Sequence, residues 1–149
     1  GGDNFKYTWK LMYRLKIQYD GYQHATALYE PLHNVVEIDF PFTGKGLEFS
    51  PDCLFGICLA SCMLLSMGDF AQRDYIDLKG TVVDIAFSGM DKRFPHVDTI
   101  TLAFWVPQAL PATERSKLER AAALCPIRQS IDADTLVSTT FHYGAAQAA

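Results

Sequence analysis

The sequence of 149 residues lacks an excess of positive charge. Lys and Arg together number 13, against 17 Asp and Glu, and the formal net charge is −4. A protein that binds nucleic acid or an anionic membrane surface broadly needs a basic surface. The composition argues against such surfaces, and we expect neither a nucleic acid nor a membrane among the partners of this chain.

The sequence also lacks an uninterrupted apolar run of about 18 residues, the usual length of a membrane-spanning helix. The longest apolar run, residues 54–67, is interrupted only by small or weakly polar residues. This pattern predicts a helix that is buried on most sides. No secretory signal sequence is recognisable at the start of the sequence, so we expect a cytoplasmic protein.

Cysteine is scarce, with four residues in the chain. This number does not make the disulfide framework that holds small secreted domains together. In a reducing cytoplasm, cysteines that come together are more often catalytic, redox-active or metal-binding. Cys53, Cys58 and Cys62 fall in one apolar segment, and Cys125 follows much later. The question is which of the four are packing residues and which carry chemistry.

Hydrophobic periodicity predicts an α+β fold with mostly antiparallel strands. Strands are expected at residues 6–20, 22–29, 34–40, 77–89, 97–106 and 135–144, and helices at 51–71, 113–124 and 126–131. The chain has no repeat, low-complexity segment or linker, which favours a single domain over residues 1–149. A buried central helix needs more cover than a chain of this size obviously provides, which makes a dimer plausible.

Local patterns predict where elements begin and turn. Asp and Gly at residues 20–21 are a hairpin turn signal. Ser50 can cap the first helix, Pro51 suits its first position, and Asp52 suits the positive end of its dipole. Thr113 is the candidate cap of the second long helix.

The cysteines differ in what their positions allow. Cys58 and Cys62 are four residues apart on one helix face and could share a metal. No histidine is near them in sequence and no C-x-x-C motif is present, so we expect no metal and no cofactor. Cys53 and Cys58 are expected to be small buried packing residues. Cys125 precedes Pro126; it either caps a short helix, where the dipole favours a thiolate, or is a core residue.

Three motifs taken together resemble the OsmC/Ohr family, the osmotically inducible and organic hydroperoxide resistance proteins. They are the Pro-acid helix start at residues 51–52, the "LASC" that ends at Cys62, and the "LCPI" that contains Cys125. The family carries these motifs in the same order and at about the same spacing. The resemblance covers the chain roughly from residue 35 to its end.

The resemblance implies an intertwined homodimer, with antiparallel sheets wrapped around a long buried central helix and active sites at the subunit interface. It also implies reduction of organic hydroperoxides, with Cys62 as the peroxidatic thiolate and Cys125 as the resolving thiol. A dithiol reductant then restores both thiols. Asp52 stands where peroxide-reducing members carry a glutamate, although an acid in a first helical turn needs no further reason. Cys53 and Cys58 match no catalytic position of the family.

The family's arginine is the main departure. Peroxide-reducing members place it in the loop after the first strand, to hold the thiolate, and residues 19–25 contain no arginine. His24 could supply a positive charge or a donor there, or be an ordinary strand histidine, and Arg14 is expected to be solvated. Two hypotheses stay open: a thiol-dependent peroxidase, and a non-catalytic OsmC-like dimer that binds a small apolar or sulfur-containing ligand in the interface cleft.

Overall fold

The computed structural model describes residues 15–29, 32–40, 44–88 and 96–144. Its elements are β1 Leu15–Gly21, β2 His24–Tyr29, β3 Asn34–Asp39, α1 Pro51–Arg73, β4 Val82–Ser88, β5 Thr99–Val106, α2 Ala112–Ala123, α3 Pro126–Gln129 and β6 Leu136–Tyr143. These elements confirm the α+β class. The chain divides into two compact units, residues 1–55 and 56–149. The expectation of one domain stays a prediction.

The first unit contains the antiparallel sheet β1-β2-β3. β1 starts at Leu15, so the earlier part of the predicted first strand lies outside the described residues. The β1–β2 hairpin is confirmed, but its reversal comes two residues later than predicted. Tyr22 and Gln23 form the turn with φ of 53° and 61°. Both values lie in the left-handed region that glycine usually occupies.

The later turn has a local cause. The pairing of β1 with β2 shifts register between Tyr19 and Gly21, and Gly21 then pairs with His24. Gly21 has a φ of 87°, a conformation that glycine adopts without steric cost. The glycine therefore absorbs a bulge at the end of β1, and the next two residues reverse the chain.

The start of α1 agrees with its sequence pattern. The Ser50 hydroxyl accepts a hydrogen bond from the backbone N–H of Cys53 at 3.3 Å. The Leu54 N–H donates to the Ser50 carbonyl at 3.1 Å. The first bond satisfies an N–H that the helix end leaves without an intrahelical partner, and the second is the first bond of the helix itself, so the predicted cap is confirmed.

The second unit is built on the sheet β4-β5-β6. β4 and β5 are antiparallel, while β5 and β6 are parallel. The parallel pair follows from the connection, because α2 and α3 carry the chain back to the starting end of β5. The predicted strand at residues 97–106 is confirmed, and four alternate residues of β5 form its inner face: Ile100, Leu102, Phe104 and Val106 are fully buried. Alternation along β5 thus gives the sheet its core-facing side.

The helix α1 is buried along one stripe only. The stripe comprises Gly56, Leu59, Met63, Met67 and Ala71, which recur every three or four residues. On other faces Ile57 is 47% and Leu65 is 72% exposed. The prediction of burial on most sides is wrong for this single chain, because the core described here covers one face of the helix.

Two cysteines of α1 are more exposed than the sequence predicts. Cys53 and Cys58 are exposed, so the expectation that they are buried packing residues is wrong. An apolar helix has no polar face to indicate which side turns to the core.

By length and composition alone α1 could cross a membrane, and the core helix of a water-soluble protein meets the same test.

The helix α2 begins differently from the prediction. Its N-cap is Pro111, in an extended conformation with no side-chain cap hydrogen bond. Thr113 lies inside the first turn and is not the cap. Leu118 and Ala122 are buried, as their spacing predicts. Leu124 follows the helix and is 64% exposed, so it does not extend the buried stripe.

Candidate active site

Cys62 lies on α1 beside the buried stripe. Its side chain is partly buried and packs against the hydrophobic core of the second unit. Met63, the next residue, is 1% exposed, which places Cys62 at the edge of the core. Cys58, one turn earlier on the same helix, is exposed. The two thiols therefore have different surroundings, although only one helical turn separates them.

Cys125 is buried, with 1% of its surface exposed. It is the N-cap of α3, with φ −61° and ψ 142°, and Pro126 opens the helix. Its Sγ accepts a hydrogen bond from the backbone N–H of Arg128 at 3.1 Å. The predicted capping position and the alternative of core burial are thus both observed in the same residue.

The side chains of Cys62 and Cys125 come together. Burial is the largest influence on Cys125 and raises the pKa of its thiol, while the Arg128 N–H lowers it. A hydrogen bond and a coulombic interaction with Cys62 raise the pKa further. The amides at the N-cap lower the pKa of the Cys125 thiol, as expected of that position, but burial outweighs them and the net direction is upward. Loss of hydration disfavours the charged sulfur more than the amides of Ile127 and Arg128 favour it.

Asp52 lies in the first turn of α1 and is exposed. It belongs to the unit of residues 1–55, whereas both cysteines of the pair belong to residues 56–149. The structure gives it no ion pair with any described residue. The helix dipole accounts for an acid at this position. Its action on Cys62 stays a prediction, and Arg14 lies outside the described residues.

His24 is held in a polar network of the first unit. Its Nδ1 lies 2.9 Å from Asp20 Oδ2, and its Nε2 lies 4.0 Å from Glu37 Oε1. Asp20 also accepts hydrogen bonds from Thr26 at 2.6 Å and Gln18 at 2.9 Å. The Thr26 hydroxyl is the largest cause of a lowered pKa at Asp20. One ring nitrogen of His24 is therefore engaged by the carboxylate of Asp20, as expected of an ordinary strand histidine.

In the part of the chain that the structure describes, no group of three or more His, Cys, Asp or Glu side chains could hold a metal ion. Cys58 and Cys62 share a helix face in sequence, yet they find no third ligand of these types among the described residues. What the site offers is two thiols in contact. Such a pair supports thiol–disulfide chemistry.

The pairing of a partly buried Cys62 with a Cys125 that precedes proline matches the motif pattern noted in the sequence. The family model of OsmC-like proteins matches residues 44–140. The chain belongs to the OsmC-like protein family. The resemblance seen in three motifs is thereby confirmed, and this OsmC-like chain carries both cysteines within the matched segment.

Solved structures agree with the family. An osmotic stress induced and detoxification response protein from Psychrobacter arcticus is 29% identical with a TM-score of 0.81, covering 86% of this chain and 94% of its own. An organic hydroperoxide resistance protein OsmC from Legionella pneumophila is 16% identical with a TM-score of 0.66, covering 87% and 97%. Bacillus subtilis OhrB, an organic hydroperoxide resistance protein, is 16% identical with a TM-score of 0.65, covering 87% and 96%.

The two likenesses at 16% identity show the fold alone. None of the curated proteins compared with this OsmC-like chain matches it significantly. The family includes proteins described as organic hydroperoxide resistance proteins. The fold that was predicted from the motifs is therefore confirmed, and the activity is a matter for proposal.

The sequence did not indicate one group of the site, a backbone N–H. The N–H of Arg128 donates to Cys125 Sγ, and no side-chain pattern indicates a backbone donor. The available signal was the spacing, because an N-cap side chain accepts from the amide three positions later. The sequence predicts the capping position of Cys125 but does not name the amide that donates to its sulfur.

Proposed function

We propose that this OsmC-like protein is a thiol-dependent peroxidase that reduces organic hydroperoxides through Cys62 and Cys125. The observation that carries the proposal is the contact between a partly buried thiol and a fully buried one. The accessible thiol can meet a substrate, and the buried thiol can meet only its neighbour. Membership of a family that includes organic hydroperoxide resistance proteins supports the same chemistry.

In the first step the Cys62 thiolate attacks the distal peroxide oxygen of ROOH. The O–O bond breaks, the sulfur is oxidised to a sulfenic acid, and the leaving alkoxide takes up a proton to become ROH. The core residues against which Cys62 packs are apolar. Apolar surroundings favour a peroxide with a bulky alkyl group over hydrogen peroxide, because burying an alkyl group releases it from water.

In the second step Cys125 attacks the Cys62 sulfenic sulfur, which forms a disulfide and releases water. The raised pKa of Cys125 keeps it as a neutral thiol at neutral pH. A neutral thiol is a poor competitor for peroxide, because the thiolate is the nucleophile. Burial and a raised pKa thus suit Cys125 to resolution rather than to the first attack. A dithiol reductant then reduces the disulfide.

The remaining parts of the proposal concern the assembly and its setting. We include Asp52 as an acid that acts on the Cys62 site, because of its place in the family motif. We also propose a homodimer, since dimers are known in the family and Leu65 is 72% exposed on a face of α1. A cytoplasmic location would keep the pair reduced between turnovers.

Peptide mapping after oxidation tests the proposal. The reduced protein is treated with one equivalent of cumene hydroperoxide, and its peptides are mapped by mass spectrometry. A Cys62–Cys125 disulfide that forms within seconds, and much more slowly with hydrogen peroxide, is the expected result. In a Cys125→Ser variant the sulfenic acid should persist, whereas Cys53→Ser should behave as wild type. Thiols left unmodified by cumene hydroperoxide would overturn the proposal.

The second candidate function is non-catalytic binding of a small apolar or sulfur-containing ligand by an OsmC-like dimer. It is favoured by the β1–β2 turn, which carries no arginine and whose His24 is engaged by Asp20. The pH dependence of Cys62 alkylation separates the two functions. A thiol pKa well below about 8.5 supports the peroxidase, and a value near that figure supports the binding protein.

A further inference from the structure

A small cavity lies beside the β1–β2 turn, within the first unit. Its volume is about 290 Å³, close to the lower limit of the range of about 300–1,000 Å³ that is usual for small-molecule sites. It is lined by two aspartates, a histidine, a lysine, a tyrosine and a glycine: Asp20, Asp39, His24, Lys45, Tyr22 and Gly21. All six belong to residues 1–55, whereas Cys62 and Cys125 belong to the other unit. The cavity is therefore separate from the thiol pair.

One carboxylate of this cavity already has its partners within the sheet. Asp20 accepts hydrogen bonds from Thr26 at 2.6 Å and from Gln18 at 2.9 Å. His24 Nδ1 lies 2.9 Å from the Oδ2 atom of the same carboxylate. A carboxylate that is engaged in this way needs no ligand to satisfy it.

The other carboxylate, that of Asp39, lacks part of its hydrogen bonding. Asp39 ends β3, stands opposite His24 in the sheet and is 4% exposed. Its Oδ2 accepts a hydrogen bond from the Gly46 N–H at 2.9 Å. Its Oδ1 has no hydrogen-bond partner in the part of the chain that the structure describes. A buried polar atom without a partner costs free energy, and a buried charge costs more. A donor on a ligand would remove that cost.

The loop at residues 44–46 closes over the Asp39 carboxylate. A Cβ at Gly44 would overlap Asp39 Oδ1, so the lack of a side chain at Gly44 leaves the room that this oxygen occupies. The terminal torsion of an aspartate side chain is broad and two-fold. The carboxylate can therefore turn one oxygen towards a donor in the cavity while the other oxygen keeps the Gly46 N–H.

Lys45 adds a charge of the opposite sign to the same cavity. It belongs to the loop at residues 44–46, and its side chain is exposed. Its ammonium group forms no salt bridge with any residue in the described ranges. The cavity thus has one anionic group, Asp39, and one cationic group, Lys45, that the protein leaves unpaired. A ligand that complements both groups carries an ammonium and a carboxylate.

We propose that this cavity binds a small zwitterion with the chemistry of a free α-amino acid. The ammonium group of the ligand donates to the Asp39 carboxylate, and the carboxylate of the ligand accepts from the Lys45 ammonium. Hydrogen bonds between charged groups are stronger than those between neutral ones. The ligand is neither oxidised nor reduced at this site, so the inference goes beyond the proposed peroxidase and does not depend on it.

Three probes of similar size, which differ in their charged groups, test the site. They are L-alanine, L-alaninamide, which lacks the carboxylate, and L-lactate, which lacks the ammonium group. Nuclear magnetic resonance titration of the whole chain, followed at the amides of Gly44 and Gly46, measures their affinities. Wild type should bind alanine at least about tenfold more tightly than either analogue. Equal affinities for the three probes, or no binding of alanine, would overturn the inference.

Two substitutions assign the two ends of the ligand. Lys45→Gln should abolish the preference for alanine over alaninamide, because the side chain that holds the carboxylate loses its charge. Asp39→Asn should abolish the preference for alanine over lactate. Lys79→Gln, at an exposed lysine of the other unit, should bind all three probes as wild type does.

Folding of the two variants is checked by circular dichroism. Asp39 is buried and its replacement could disturb the fold, whereas Lys45 is exposed and its replacement should not. The Lys45→Gln protein therefore tests the site whether or not Asp39→Asn folds. A folded Lys45→Gln protein that still prefers alanine to alaninamide would contradict the proposed site.

Discussion

The four cysteines of this protein occupy two settings that differ in almost every physical respect. Cys53 and Cys58 lie on exposed faces of α1, while Cys62 packs at the edge of the core and Cys125 lies inside it. Three of the four share one helix, so neither residue type nor secondary structure distinguishes them. The difference comes from what each sulfur contacts. A thiol acquires a role in this fold through its neighbours, and matched substitutions in the two settings can test that.

The largest effect is expected from removing the accessible member of the pair. Cys62→Ser should lower the specificity constant for cumene hydroperoxide at least about a thousandfold, because a hydroxyl is a far weaker nucleophile than a thiolate. Cys58→Ser should stay within about twofold of wild type. Steady-state consumption of the peroxide measures both. A Cys58→Ser protein as inactive as Cys62→Ser would break the distinction between the two settings.

The two faces of α1 should differ in stability as sharply as the cysteines differ in reactivity. Leu59→Ala removes a fully buried side chain and should lower the free energy of unfolding by about 2–5 kcal/mol. Leu65→Ala, on an exposed face, should change it by less than about 0.5 kcal/mol. Urea unfolding measures both variants. A large loss at Leu65 that depends on protein concentration would instead show that a second subunit covers this face.

The buried thiol should reveal itself in the pH dependence of resolution. The pKa of Cys125 is raised above its ordinary value of 9.0, so the thiolate fraction should grow about tenfold per pH unit up to that value. Dimedone trapping of the Cys62 sulfenic acid measures how fast Cys125 consumes it. The rate should climb throughout the range of about pH 6–9 without a plateau, and a plateau below about pH 8 would contradict a raised pKa.

The same shift has a consequence for stability. Folding favours the neutral thiol of Cys125, since its folded pKa exceeds the unfolded one. Its contribution is fully present below the unfolded pKa and is lost as pH rises through the folded pKa. Cys125→Ala should lack this alkaline loss when unfolding is followed at increasing pH.

The smallest effects are expected from the two glycines of α1. A Cβ at Gly56 would lie 3.1 Å from the Phe87 ring, whereas a Cβ at Gly68 would meet nothing within 4 Å. Gly56→Ala should destabilise the protein by about 1 kcal/mol, as crowding exceeds the gain in helix propensity. Gly68→Ala should stabilise it by about 0.5–1 kcal/mol. Thermal unfolding compares the two, and a stabilising Gly56→Ala would show that Phe87 yields without cost.

The sequence was sufficient to predict those features of the structure that depend on neighbouring residues alone. The alternation in β5, the Ser50 cap and the capping position of Cys125 follow from neighbouring residues, and the structure confirms each. The hairpin turn was placed too early because Gly21 serves a bulge, which depends on pairing with β2. The exposure of Cys58 could not be foreseen, because an apolar helix does not indicate its core face. The raised pKa of Cys125 arises from tertiary burial, which no local pattern reports.

The hydrogen bond from the Arg128 N–H to Cys125 Sγ links a backbone proton to the oxidation state of the sulfur. A disulfide sulfur is less electron-rich than the thiol it replaces, so this bond should weaken when the pair closes. The amide resonance of Arg128 then indicates the oxidation state of the pair, because it shifts each time the disulfide forms. With that resonance assigned, nuclear magnetic resonance could follow whether the two cysteines are reduced or joined in a disulfide. The protein would stay intact, with unlabelled thiols and without a trapping reagent or a substitution.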